Sequence, residues 1–205
     1  MIYSLGFNYN KVGGSMPDFI EKFSREFRTP MPKQSDGGGI QVGVVVQKDM
    51  SEWLYLKSGF GLVHKKVNPE EQAYPLYKDS LNSWYISIPL LIGVQTSLDA
   101  KKTIDAFFET GILGNFAIGD KSYKAPDRVA FSHSGAVATY QVSAGFSFIV
   151  APNASLVLQY AYSLDISPAY RETLYLGATN QTYFYGDYKY HTSSLSLGLK
   201  LGIHG

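Results

Sequence analysis

Eight stretches of this chain alternate apolar with small or polar side chains, residue by residue, and this alternation restricts the fold more than any other feature. In WYISIPLLIGVQT, one face carries Trp84, Ile86, Ile88, Leu90, Ile92 and Val94, and the other carries Tyr85, Ser87, Pro89, Leu91, Gly93 and Gln95. A period of two is that of a strand. The same pattern runs through IYSLGFNYN, GIQVGVVVQ, WLYLKSGFGLV, IDAFFETGILGNFAIG, TYQVSAGFSFIV, SLVLQYAYSLD and HTSSLSLGLKLGI.

The links between these strands alternate in length. Turn-like segments fall at KDMSE, SLDAKKT and APNA, and long polar ones at roughly 12 to 38, 65 to 83, 119 to 138 and 166 to 190. Short links at one end and long loops at the other are the pattern of an up-and-down transmembrane barrel. In the first long link, PDFIEKFSREF has Pro17 and Asp18 at a helix start and Phe19, Phe23 and Phe27 every four residues, which predicts a short amphipathic helix. The triplet Gly37 to Gly39 precedes a strand without a following Lys-Ser/Thr, and so reads as a hinge rather than a phosphate cradle.

Alternation alone does not say whether the apolar face meets a core or lipid, because a soluble lipocalin-like carrier of a hydrophobic ligand also has one apolar face per strand. The second face decides. It consists mostly of Gly, Ser, Ala, Asn and Gln, with Gly43, Gly59, Gly61, Gly93, Gly111, Gly145 and Gly198 all on it, as suits the crowded concave interior of a narrow barrel. The charges within strands, Lys57, Asp105, Glu109, Asp165 and Lys200, share that face. A one-residue slip would turn them towards lipid, where a lysine at the midplane costs roughly 2 to 4 kcal/mol. Tyr3, Tyr9, Trp84, Tyr140, Tyr162 and Tyr190 lie near strand ends, as interfacial girdles require. Pro89 falls on the inward face of a strand with no free edge, which predicts a local bulge or bend.

Composition removes other classes. The chain has 205 residues, a formal net charge of +1 and no cysteine, so it has no basic footprint for nucleic acid and no thiolate metal site. No apolar run reaches the length of a membrane-spanning helix. The chain starts directly in a candidate strand, so an exported protein of this kind is expected to have had its signal segment removed. The expectation is a single domain over 1–205, all-β, an eight-stranded antiparallel barrel with a short helix in the first long loop, placed in the bacterial outer membrane as a monomer.

At this point the residues resemble a known family, the small outer-membrane β-barrel proteins of Gram-negative bacteria often labelled porin-family or PorT-like. The resemblance rests, in order, on a GF-type first strand, IPLL at Ile88 to Leu91, ETG at Glu109 to Gly111, SAGFSF at Ser143 to Phe148, QYAYSLDIS at Gln159 to Ser167 and the glycine-broken SLGLKLGI. It implies fold and location rather than an activity. One departure is the end of the chain: such barrels finish on an aromatic residue, and this one finishes Ile203, His204, Gly205.

Enzymatic signals are thin. His64, His133, His191 and His204 have no metal-ligand spacing, and no cofactor motif is present. His191 with Ser193 resembles the His-x-Ser of lipid A deacylases, an acyl-hydrolase alternative that lacks an assignable acid and oxyanion donor. We expect a non-enzyme. The interior should hold a polar network of Lys57, Asp105, Glu109, Gln159 and Lys200 serving stability. The aromatics of the last long link, Tyr170, Tyr175, Tyr183, Phe184, Tyr185, Tyr188 and Tyr190, read either as a hairpin extending the last two strands or as a binding surface for an envelope protein or surface glycan. Lys65, Lys66, Lys121, Lys124 and Arg128 are candidate loop contacts to lipopolysaccharide phosphates. The function expected is a structural or loop-mediated binding role, with membrane lipid as a partner and an accessory place in an envelope complex. The alternative is a narrow porin-like channel.

A membrane barrel should resist unfolding in detergent, so unheated protein is expected to run at a different gel mobility from boiled protein. Identical mobility would favour the soluble carrier.

Overall fold

The computed structural model describes residues 1–13, 36–67, 81–119, 123–124, 129–176 and 181–202. It contains β1 (Ile2–Gly13), β2 (Gly37–Asp49), β3 (Leu54–Val67), β4 (Leu81–Ser97), β5 (Ile104–Ile118), β6 (Tyr123–Lys124), β7 (Val129–His133), β8 (Ala136–Ala151), β9 (Ala154–Asp165), β10 (Tyr170–Leu176) and β11 (Gln181–Leu201). Eight of these, β1 to β5 with β8, β9 and β11, form a continuous antiparallel sheet, which closes on itself where β1 pairs β11 from Ile2↔Lys200 to Gly13↔Lys189. Closure leaves no strand edge for hydrocarbon to meet, the condition a β structure must satisfy to cross a bilayer. The start of β1 and the end of β11 meet at the short-turn end, where the Met1 ammonium donates to the Leu201 carbonyl.

The exterior is apolar. Phe7, Phe60 and Leu90 are each about two-thirds exposed, and along β4 every residue from Trp84 to Ile92 with an even number faces out while its neighbours are buried. Leucine-type side chains turned outward exclude the soluble carrier, which would turn them in. Tyr3, Tyr9, Trp84, Tyr140 and Tyr162 lie on this outer surface. Tyr190 does not: it is buried in the lumen, on the same face of β11 as Thr192 and Ser194.

Three further expectations change. No register shift accompanies Pro89. The β3–β4 ladder instead skips the positions opposite Gly59 and Phe60 and resumes in the same register, while β4–β5 pairing runs through Pro89↔Leu113. A proline without an N–H removes ladder bonds on one side without displacing the strand. Gly37 to Gly39 are not a hinge but the first residues of β2, where a Cβ on Gly39 would meet the His64 carbonyl at 1.9 Å. The strands also run beyond the expected bounds. β3 continues to Val67, and β6, β7, β10 and the first part of β11 form a sheet beyond the barrel at its long-loop end, including a β10–β11 hairpin. Among the described residues there is no helix, and the one expected at 17 to 27 lies outside them.

The inward glycines have a specific use. Tyr55 is paired with Gly93 across β3–β4, and Phe107 with Gly145 across β5–β8. A Cβ on Gly93 would lie 2.3 Å from the Tyr55 ring, and one on Gly145 2.6 Å from that of Phe107. Each ring therefore lies over the bare backbone of the next strand, and Tyr55, Phe107 and Val157 cluster as an apolar collar inside the lumen. At the short-turn end, Asp99 accepts from the Thr103 hydroxyl and from the amides of Ile104 and Thr103. These bonds, the Thr103 hydroxyl first, hold its carboxyl below the usual range. That support for the turn is complete above the ordinary carboxylate range and fades only as pH falls through the lowered value.

Gly93→Ala is expected to destabilise the barrel by about 1 to 3 kcal/mol, the scale of overpacking a filled core. In a Tyr55→Ala background the same substitution should be close to neutral, which a double-mutant cycle of urea unfolding in micelles would measure.

Candidate functional site

The polar face of the strands converges on the lumen, and there it forms two separate ion-paired layers. In the layer nearer the short turns, Glu109 on β5 is fully buried and Lys57 on β3 nearly so, and the two form a salt bridge. Glu109 also accepts from the Tyr55 hydroxyl at 2.7 Å, the Gln159 amide at 2.9 Å and the Ser143 hydroxyl at 3.2 Å. Gln159 donates as well to Ser143 at 2.9 Å. The Lys57 ammonium lies 5.2 Å from the Tyr55 ring centre and 5.0 Å from that of Phe107. Side chains from β3, β5, β8 and β9 thus meet on one carboxylate, and its charge and acceptor sites are met without water.

The second layer lies towards the long loops. Lys65 on β3 and Asp165 on β9 are both buried and pair at 3.2 Å across the lumen. Asp165 further accepts from the Thr139 hydroxyl at 2.7 Å and the Tyr190 amide at 3.0 Å, and Asn115 donates to Thr139 at 2.7 Å. The Lys65 ammonium faces the rings of Tyr190 at 5.1 Å and Tyr85 at 5.7 Å. Above it, Tyr170 meets Tyr190 edge to face at 6.1 Å and bonds the Ser83 hydroxyl. Tyr85, Tyr170, Tyr188 and Tyr190 pack with Val67, Val137 and Ala169 into one buried cluster. On the β1–β11 side, Thr192 donates to Asn10, Asn10 to Asn8, and Asn8 to the His64 carbonyl.

Of the residues expected in an interior network, Lys57, Glu109 and Gln159 come together. Asp105 does not join them: it accepts from Ser97 at the mouth of the short-turn end. Lys200 is half-buried there and makes no salt bridge among the described residues. Tyr55 and Ser143 complete the site without having been expected, although both stand at inward positions of the period-two pattern. Lys65 was expected in a loop against lipopolysaccharide phosphates, but β3 extends far enough to carry it into the lumen. Lys66, next to it, faces outward and is half-exposed. Lys121 and Arg128 lie outside the described residues, as does the side chain of Lys124. Tyr170 and Tyr188, expected on an exposed binding surface, are buried because their strand positions point into the barrel mouth. Tyr175, Tyr183, Phe184 and Tyr185 belong to the β10–β11 hairpin, with side chains outside the description. His191 and Ser193 share the outer face: His191 Nδ1 meets the Tyr162 hydroxyl at 3.1 Å and Ser193 accepts from Tyr160.

The architecture is similar to that of solved outer-membrane barrels. The outer membrane protein OprG from Pseudomonas aeruginosa superposes with a TM-score of 0.58 at 9% identity, over 100% of this chain and 95% of that one. Neisserial surface protein A, NspA, superposes with a TM-score of 0.50 at 11% identity, over 98% and 96%. At such identities the likeness is one of fold. No protein-family model matches the chain, the PorT-like one included, and no curated protein matches it in sequence. The chain has the fold and the lipid-facing surface of a bacterial outer-membrane β-barrel.

Glu109→Gln leaves the Lys57 ammonium buried without a counter-charge and is expected to cost about 3 to 5 kcal/mol of stability. Adding Lys57→Met should restore much of the loss, as read from unfolding midpoints in urea with unchanged slope.

Proposed function

We propose that this protein is a monomeric outer-membrane barrel that carries no steady ion current and acts through the strands it raises beyond the membrane, as a docking or structural component of the cell envelope. The observation that carries this reading is the pair of transverse layers, Lys57–Glu109 with Gln159 and Lys65–Asp165, each joining strands on opposite sides of the lumen. An ion on the axis would have to break both, and a buried ion pair deprived of one partner is strongly destabilised. At the outer end, the buried Tyr170 and Tyr188 root the β10–β11 hairpin in the barrel mouth. A platform anchored in this way presents its outer face in a fixed orientation, which lowers the ordering cost of binding. Surface glycan, lipopolysaccharide or an envelope protein are the partners this reading admits.

A second reading, a narrow channel, is favoured by one feature, a partly open space of about 120 Å³ next to the Lys57–Glu109 layer. Planar bilayer recording separates the two. Wild-type protein is expected to give no stable single-channel steps in molar salt, and regular ohmic steps would overturn the closed-lumen reading in favour of the channel.

A further inference from the structure

The lipid-facing surface changes character at one height and on one side. From Leu201 to His191, at about 3.3 Å per residue and a tilt of about 40°, β11 climbs roughly 25 Å, the full height of the apolar band of a transmembrane barrel. Its outward residues over that climb are Leu201, Leu199, Leu197, Leu195 and Ser193, and those at the top are His191 and Lys189. Across the β1–β11 ladder the last two face Lys11 and Gly13. On β3, Lys66 stands on the same rim, beyond the exposed Gly38 of β2. On β5, β8 and β9 the outward positions at this end are Phe116, Ile118, Tyr140 and Leu164, so among the described residues the charge of the rim lies on the β11, β1 and β3 side.

Little in the protein neutralises that side. Neither Lys189 nor Lys66 makes an ion pair among the described residues. Asp36 accepts from the Tyr9 hydroxyl and lies 4.0 Å from Lys11, which leaves an excess of cations on the rim. Asp187, further along β11, stands opposite Arg171. With the Tyr162 hydroxyl donating to Nδ1 of His191, Nε2 carries the hydrogen. It lies over the bare backbone of Gly13, where a Cβ would come within 2.7 Å of it, and no described group accepts from it. Ser193 accepts from Tyr160 and keeps its own hydrogen to give.

We propose that the outer face of β1 and β11 at this height docks one phosphate group of lipopolysaccharide, with Lys11, Lys189 and His191 Nε2 as its donors and the Ser193 hydroxyl below them for a headgroup oxygen. The lipid follows from the height, and the phosphate from the charge. These groups stand where hydrocarbon gives way to headgroups, in the leaflet reached by the long loops, which is the external one. Hydrogen bonds from cations to phosphate oxygens are charge-assisted and strong. Below them, Phe7 and Leu195 are paired and exposed, a surface for the acyl chains of the same molecule. The envelope reading above admits lipopolysaccharide as a partner; the inference rests on that reading for the presence of the lipid and assigns its place on the barrel wall.

Lipid A is the probe. Protein in dodecyl maltoside micelles is mixed with it, and retained lipid is counted by native mass spectrometry. One lipid A is expected to be held saturably by each barrel, and phosphatidylcholine, whose phosphate is balanced by choline, not to be held. Lys11→Gln with Lys189→Gln should weaken the apparent affinity roughly twentyfold, at about fivefold for each lysine near an anionic lipid surface. Lys101→Gln with Lys102→Gln, in the turn at the other end of the barrel, should leave it unchanged. Folding is checked by gel mobility before heating. If the first double variant does not fold, Lys189→Gln alone decides, since its ammonium holds no partner among the described residues, with an expected loss of about fivefold. Equal retention of the two lipids, an affinity unchanged in the folded variant, or the same loss from the short-turn pair would overturn the site. Failure of the envelope reading would show separately, as ohmic steps in bilayers from a barrel that still retains lipid A.

Discussion

In hydrocarbon, a backbone N–H or C=O without a partner has no water to turn to, and the closed hydrogen-bonded ring of eight strands is the answer this chain adopts. Once β1 pairs β11, each side chain is committed to lipid or lumen by the parity of its position. The apolar set then meets acyl chains without any tertiary partner, and everything that specifies the molecule beyond its fold is moved inside. For a soluble domain the core is the greasy part. Here the core is polar, and it is held by a few well-satisfied charges.

The lumen of an eight-stranded barrel is narrow enough that side chains from opposite walls touch. Tyr55 and Phe107 fit only because the facing residue on the next strand is glycine, and those rings then set the floor on which Lys57 rests. Elsewhere on the wall the same residue type pairs with serine instead, and a partly open space remains beside that row. Which of the inward glycines seats a ring is told only by the strand register.

That distinction also marks what could be read from the sequence. Parity alone put Lys57, Glu109 and Asp165 inside, because a period of two needs no knowledge of neighbours. It would have placed Tyr190 inside as well, beside Thr192 and Ser194, but its position near a strand end suggested an interfacial girdle. Lys65 stands eight residues after Lys57 and shares its face, yet the polar run HKKV resembled the start of a loop, and the end of a strand is the hardest boundary to see in one sequence. The pairing of Lys65 with Asp165 was out of reach, since it depends on the stagger of β3 against β9 across the ring. The pairing of Tyr55 with Gly93 likewise required the register of two strands rather than the pattern of either.

Both buried ammonium groups belong to a single strand, β3, while the carboxylates that neutralise them stand on β5 and β9, one of them across the lumen. A partly assembled sheet that has β3 but not yet β9 leaves Lys65 without the carboxylate that neutralises it, and an ammonium enclosed without its partner is strongly destabilising. Closure of the polar interior is thereby tied to a strand late in the chain: the same electrostatics that quieten the finished lumen penalise a ring that lacks β9.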